Sequence, residues 1–139
     1  HCIPVDPIYL NDKAKKTGTP IRFIELADKV NRSMANYFTG KSSKMLNGLR
    51  GKKILVLGVA YKPNISDVRE TPVESLIDNL RKKGAEVKWH DDVVKDWKNE
   101  KSVKISSGYD LAIIATHHHY FNLSKLGNTP ILDTDFSTF

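Results

Sequence analysis

Residues 54–57 read Ile-Leu-Val-Leu, with no polar side chain among them. A strand of this kind offers no face to water, so it must be covered on both sides, as strands of parallel sheets are. The residues after this strand narrow the choice further. Gly58 opens a polar loop, and Thr71-Pro72-Val73-Glu74 then marks a helix start. Thr71 can cap, Pro72 suits the first helical position, and Glu74 can reach back to complete a capping box. Val73, Leu76, Ile77 and Leu80 fall on one helical face, and Lys82-Lys83-Gly84 is a helix end. Ala85–Trp89 reads as the next strand, which completes a βαβ unit.

The rest of the chain extends this unit. Asp91–Ser102 is polar and reads as loop, with room for one helical turn. Val103–Ile105 is expected as a short edge strand, Asp110–Thr116 as a second buried strand, Tyr120–Leu126 as a short helix and Pro130–Asp133 as a last strand. The order predicts an α/β fold, a Rossmann-like open parallel sheet. Before it, residues 1–10 begin as loop, and a helix is expected from Ile8 to Lys16. Thr17–Pro20 is a break. A long amphipathic helix comes next, with Phe23, Leu26, Ala27, Val30, Met34, Tyr37 and Phe38 on its stripe and Met45 and Leu46 in reach of it. Such a helix needs a cover, which is either a missing N-terminal portion or the same helix of a second subunit. The polar joint Asn47–Gly51 divides the chain into 1–48 and 49–139.

The chain of 139 residues has one cysteine, so it holds no internal disulfide and fits a reducing compartment. A formal charge of +6 favours anionic ligands. The lysines are dispersed and carry no nucleic-acid motif, so nucleic acid is not the expected partner. No apolar run is long enough to span a membrane, and none is expected. The first residue is His1 rather than Met, which reads as a fragment.

Four groups of residues are candidates for chemistry. Cys2 and Asp6 lie four positions apart on a proline-containing stretch. From residue type alone an inert small hydrophobe is the commoner role of a lone cysteine, and a nucleophile is the alternative. Tyr61, Lys62, Asp67, Arg69 and Glu70 sit in the loop after the first strand, at the edge where open α/β sheets bind ligands. Lys62 and Arg69 could neutralise a diphosphate; the bland alternative is a solvated loop. The turn after Gly58 lacks the further glycines of a dinucleotide fingerprint, so Asp91 and Asp92 read as loop caps rather than ribose ligands. His117-His118-His119 reads as exposed loop imidazoles, without the spacing of a metal site.

Two stretches carry a resemblance. GVAYKPNISDVRETP, residues 58–72, resembles the loop that opens the C-terminal domain of the UDP-glucose/GDP-mannose dehydrogenase family. HCIPVDP, residues 1–7, resembles that family's catalytic cysteine motif, and Val5 in place of the usual lysine is closer to members that oxidise UDP-N-acetylhexosamines. The resemblance implies the C-terminal part of an NAD-dependent UDP-sugar 6-dehydrogenase of the cytoplasm, serving bacterial surface polysaccharide synthesis. Cys2 would trap the C6 aldehyde as a thiohemiacetal that is oxidised to a thioester, and Asp6 would direct the hydrolytic water. Tyr61, Lys62 and Arg69 would contact the UDP-sugar, although Arg69 could instead brace the loop. Residues 1–48 would hold the end of the catalytic loop and a linking helix that pairs in a homodimer over 20–47. Residues 49–139 would bind the UDP-sugar, while NAD would be bound mainly by an N-terminal domain absent from this chain. The fragment alone is expected to be inactive. Asp135 stands where the family carries an arginine after Asp-Thr, which favours the alternative of a non-catalytic nucleotide-sugar-binding or dimerisation module.

Overall fold

The computed structural model describes the backbone of residues 2–134 and the side chains of residues 5–134. The chain forms two compact units, His1–Met34 and Ala35–Phe139, which divide inside a helix. The first unit contains α1 (Cys2–Lys16) and the opening turns of α2 (Arg22–Met45). The start expected at Ile8 is therefore too late. Pro4 falls in the first turn, where backbone N–H groups have no intrahelical partner, so only Pro7 forfeits a bond, the one to residue 3. Asn11 is buried and links the two helices: its Oδ1 accepts from the Ile21 N–H at 2.7 Å, and its Nδ2 donates to Glu25 at 3.3 Å. Lys15 pairs with Glu25 at 2.6 Å beside it. Phe23, Leu26 and Val30 of the apolar stripe remain exposed.

In the second unit α2 continues as expected to Met45, burying Phe38, Thr39 and Ser42. The hydroxyls of Thr39 and Ser42 donate to the carbonyls of Ala35 and Phe38, which lets both be buried. The helix ends where Asn47 and Gly48 turn to positive φ and the Gly48 N–H donates back to the Ser43 carbonyl at 2.9 Å.

The sheet obeys the sequence pattern. β1 (Lys53–Leu57), α3 (Val73–Lys82) and β2 (Glu86–His90) form the βαβ unit. After a two-stranded ribbon, β3 (Asp96–Trp97) with β4 (Glu100–Lys101), come β5 (Leu111–Ile114), a 3₁₀ turn at Leu123–Leu126, and β6 (Ile131–Asp133). The four strands of the main sheet are all parallel, in the order β2-β1-β5-β6. Ile54–Leu57 and Leu111–Ile114 are wholly buried, which is why neither run could carry a polar residue. Leu55, Leu57, Ala112 and Ile114 share a core with Ile105 and Leu126. α3 packs beside β2 and buries Val73, Leu76, Ile77 and Leu80.

Several local expectations are corrected. Pro72 has helical dihedrals and Thr71 Oγ1 lies 3.4 Å from the Val73 N–H, but the capping box is not formed, because Glu74 pairs with Lys98 instead. The ribbon replaces the loop expected at 91–102. Its turn residues Lys98 and Asn99 both have positive φ, without the Asn-Gly that usually announces such a turn. Trp97 on this ribbon meets Trp89 edge-on at 5.9 Å. Val103–Ile105 is not a strand: the Val103 N–H donates once, to the Trp89 carbonyl, and Ile105 then turns into the core. The helix expected over 120–126 contracts to the 3₁₀ turn.

Glycine substitutions test this packing. Gly58 has φ +81°, and a Cβ there would meet the Thr116 carbonyl oxygen at 2.0 Å. Gly58→Ala should cost about 2–4 kcal/mol in denaturant unfolding. Gly40→Ala, in the middle of α2 with open space around it, should instead gain up to about 1 kcal/mol.

Candidate functional site

The strand order reverses direction at β1, whose neighbours are β2 on one side and β5 on the other. The crevice beyond the C-terminal ends of β1 and β5 is therefore the switch point, the usual ligand position in such sheets. Two loops flank it: residues 58–72 after β1 and residues 115–122 after β5. They approach at Gly58 and Thr116, and Thr116 Oγ1 donates to the Ala60 carbonyl at 2.8 Å.

A buried carboxylate ties these loops to the sheet. Asp91, just after β2, is fully buried. Its Oδ2 accepts from the Val59 N–H at 2.8 Å, the Ala60 N–H at 3.2 Å and His118 Nε2 at 3.0 Å. Its Oδ1 accepts from the N–H groups of Val93 and Val94 at 2.9 and 3.0 Å. Burial works to raise the Asp91 pKa, but the Val94, Val59 and Val93 amides and the His118 ring outweigh it and hold the group below its ordinary range. The reading of Asp91 as a cap describes Val93 and Val94 well, and misses its reach to Val59, Ala60 and His118.

His118 corrects the reading of the three histidines as exposed. His119 is exposed and His117 half-buried, but His118 has no exposed surface. The Asn64 N–H donates to its Nδ1 at 2.8 Å. A backbone amide can only donate, so Nδ1 is unprotonated and Nε2 carries the proton given to Asp91. Both ring nitrogens are thus engaged within the protein. The available signal was positional: past the wholly buried strand the burial alternates in extended chain, with Thr116 and His118 buried on either side of half-buried His117.

The first loop carries the expected cations. The Tyr61 N–H donates to the Asp67 carbonyl at 2.7 Å, closing the loop. Asp67 accepts from the Arg69 backbone N–H at 3.0 Å and from its guanidinium Nη2 at 2.6 Å. These bonds lower the Asp67 pKa to about 2. Arg69 therefore braces the loop, yet its side chain is 77% exposed and remains open to solvent. Lys62 is exposed, with its Nζ 5.7 Å from the Tyr61 ring centroid. Tyr61, Lys62 and Arg69 thus lie on one loop at the switch point.

Cys2 and Asp6 lie one turn apart on α1, in the other compact unit. Asp6 is exposed; the Cys2 side chain lies outside the described residues, as does Asp135. The residues present do not fit NAD. Thr116 occupies the space against Gly58, and Asp91, which stands where a dinucleotide fold presents an acid to a ribose, has both oxygens engaged by internal donors.

Residues 55–135 match the model of the UDP-glucose/GDP-mannose dehydrogenase family, UDP binding domain. The chain belongs to this family. It is 32% identical over 96% of its length to the UDP-N-acetyl-D-mannosamine dehydrogenase of Methanocaldococcus jannaschii, of which it covers 33%. It is 29% identical over 87% of its length to the UDP-N-acetyl-D-glucosamine 6-dehydrogenase of Salmonella typhi, of which it covers 31%. Among solved structures, the UDP-D-ManNAc dehydrogenase of Pyrococcus horikoshii superposes with a TM-score of 0.79 at 28% identity, covering 96% of this chain and 34% of that one. The chain thus spans about a third of the length of these two relatives. The loop 58–72 and the Asp91–His118 pair fall inside the region matched to the family's UDP-binding domain. Among the described residues no helix is long and apolar enough to cross a membrane.

The Asp91 hub should govern acid stability. Its folded pKa lies below the ordinary 3.8, so its stabilisation is fully present above that value and is lost as pH falls through the folded pKa. Asp91→Asn turns an amide group onto N–H donors and should cost about 3 kcal/mol or more at neutral pH. Chemical unfolding between pH 2 and about 7 should show a flatter acid limb in the variant than in the parent chain.

Proposed function

We propose that residues 49–139 form the UDP-sugar-binding domain of an NAD-dependent UDP-sugar 6-dehydrogenase. The observation that carries this reading is the exposed Lys62 beside half-buried Tyr61 and the exposed Arg69 guanidinium on a switch-point loop within the matched UDP-binding region. A diphosphate lying across the crevice would be neutralised by Lys62 and Arg69, with Tyr61 beside the nucleotide. HCIPVDP favours a UDP-N-acetylhexosamine as substrate, and relatives named for such sugars agree with that choice.

In the complete enzyme the C6 alcohol is oxidised to the acid, and NAD, held outside these residues, supplies the oxidising power. This chain contributes the sulfur and the water-directing carboxylate. The Cys2 thiolate adds to the C6 aldehyde carbon, and the carbonyl oxygen takes a proton to give the thiohemiacetal. After its oxidation to the thioester, Asp6 orients water on the acyl carbon and takes its proton, and the thiolate leaves. Residues 1–48 would supply this catalytic segment and a linking helix. The exposed Phe23, Leu26, Val30 and Tyr37 along α2 support pairing with a second subunit over 20–47. A cytoplasmic, reducing setting suits a free catalytic thiol.

Calorimetric titration of the chain with UDP and with NAD tests the binding half. UDP should bind and NAD should not. Lys62→Ala should weaken UDP by about tenfold or more with an unchanged melting temperature. Equal UDP affinity in the variant would remove Lys62 from the site. In the complete enzyme, Cys2→Ser should abolish acid formation without loss of UDP-sugar binding; unchanged acid formation would overturn Cys2 as the nucleophile.

A further inference from the structure

Asp91 and His118 are both fully buried, and neither is used in the chemistry above. Together they join three segments. Asp91 comes after β2, His118 comes after β5, and Asn64 lies in the loop after β1 that carries Tyr61, Lys62 and Arg69. The contact at Asn64 is reciprocal. Its N–H donates to His118 Nδ1 at 2.8 Å, and its side-chain Oδ1 accepts from the His119 N–H at 3.2 Å. Asn64 holds φ +62°, a conformation that an asparagine tolerates but that needs outside support to persist. The rest of the loop's tip, Pro63 to Ser66, is exposed, so packing does not supply that support.

We propose that His118, fixed as the Nε2–H tautomer by Asp91, is a positioning residue for the nucleotide loop. It holds the Asn64 amide and thereby sets the path of the chain that presents Tyr61 and Lys62 to the ligand. This rests on the UDP-binding reading of that loop. The direction of each hydrogen bond gives the device its logic. Asp91 is a pure acceptor, so it selects the protonated Nε2, and the opposite nitrogen is left with the lone pair that the Asn64 amide requires. Phe121 stands edge-on to the ring at 5.2 Å with an interplanar angle of 89°, and limits its rotation.

Two substitutions separate the halves of the device. In His118→Asn the side-chain oxygen takes the place of Nδ1, which keeps the acceptor for Asn64 and loses the donor to Asp91. In His118→Gln the amide nitrogen takes the place of Nε2, which keeps the donor to Asp91 and loses the acceptor for Asn64. The experiment combines ¹⁵N NMR of the parent chain, amide hydrogen exchange and UDP titration. The parent spectrum should show His118 protonated on Nε2 only, and a proton on Nδ1 overturns the proposal whether or not the variants fold. In H118Q the Asn64 amide should exchange about tenfold faster or more, and UDP should bind about tenfold more weakly. In H118N the melting temperature should fall while UDP affinity stays within about threefold of the parent. If H118Q binds UDP as the parent does, or if both variants lose affinity in step with their melting temperatures, His118 is a packing residue and the proposal fails. If the parent does not bind UDP at all, the proposed function fails, and the exchange of Asn64 in H118Q against H118N still decides whether His118 holds the loop.

Discussion

One buried carboxylate organises the C-terminal edge of the sheet. Asp91 accepts from four backbone N–H groups and from one imidazole, and its charge is kept because those donors replace the water it has lost. A buried, unpaired carboxylate would be far too costly, so every segment that supplies a donor is bound to this point. The ends of β1 and β2 and the loop after β5 are thereby referenced to one another rather than to solvent. The tautomer of His118, and through it the position of Asn64, is set by the same charge.

The site shows a division between a rigid floor and an exposed rim. The floor is built by close approach: Gly58 leaves room for the Thr116 carbonyl, and Thr116 Oγ1 reaches the Ala60 carbonyl. The rim carries the cations. Arg69 is anchored by Asp67 but exposed, and Lys62 lies exposed beside Tyr61. This is the arrangement expected for an anionic ligand that arrives from solvent, since desolvating the cations beforehand would be costly. It also separates this domain from a dinucleotide fold, because the acid after β2 is turned into the protein.

The parallel sheet was legible because burial on both faces leaves a simple trace, the polar-free runs at Ile54–Leu57 and Leu111–Ile114. The long helix was legible from its stripe, and the polar loop at 58–72 from its place after a buried strand. The parts that were not legible depend on partners distant in sequence. Glu74 has the spacing of a capping box, but Lys98, 24 residues away, takes it. The β3–β4 ribbon depends on positive φ at Lys98 and Asn99, for which neither residue gives a strong local signal. His118 looked like one of three equivalent imidazoles; only its pairing with Asp91, 27 residues away and brought close by the fold, distinguishes it.

On the proposed function, the crevice beyond β1 and β5 receives the UDP portion of a nucleotide sugar. The most direct measurement is amide chemical-shift mapping of the chain during titration with UDP. Saturable shifts should concentrate in residues 58–72 and 115–122, with the largest at Tyr61 and Lys62. Shifts concentrated at the opposite edge of the sheet, around Lys52 and Lys83, or no saturable shift with UDP, would contradict it.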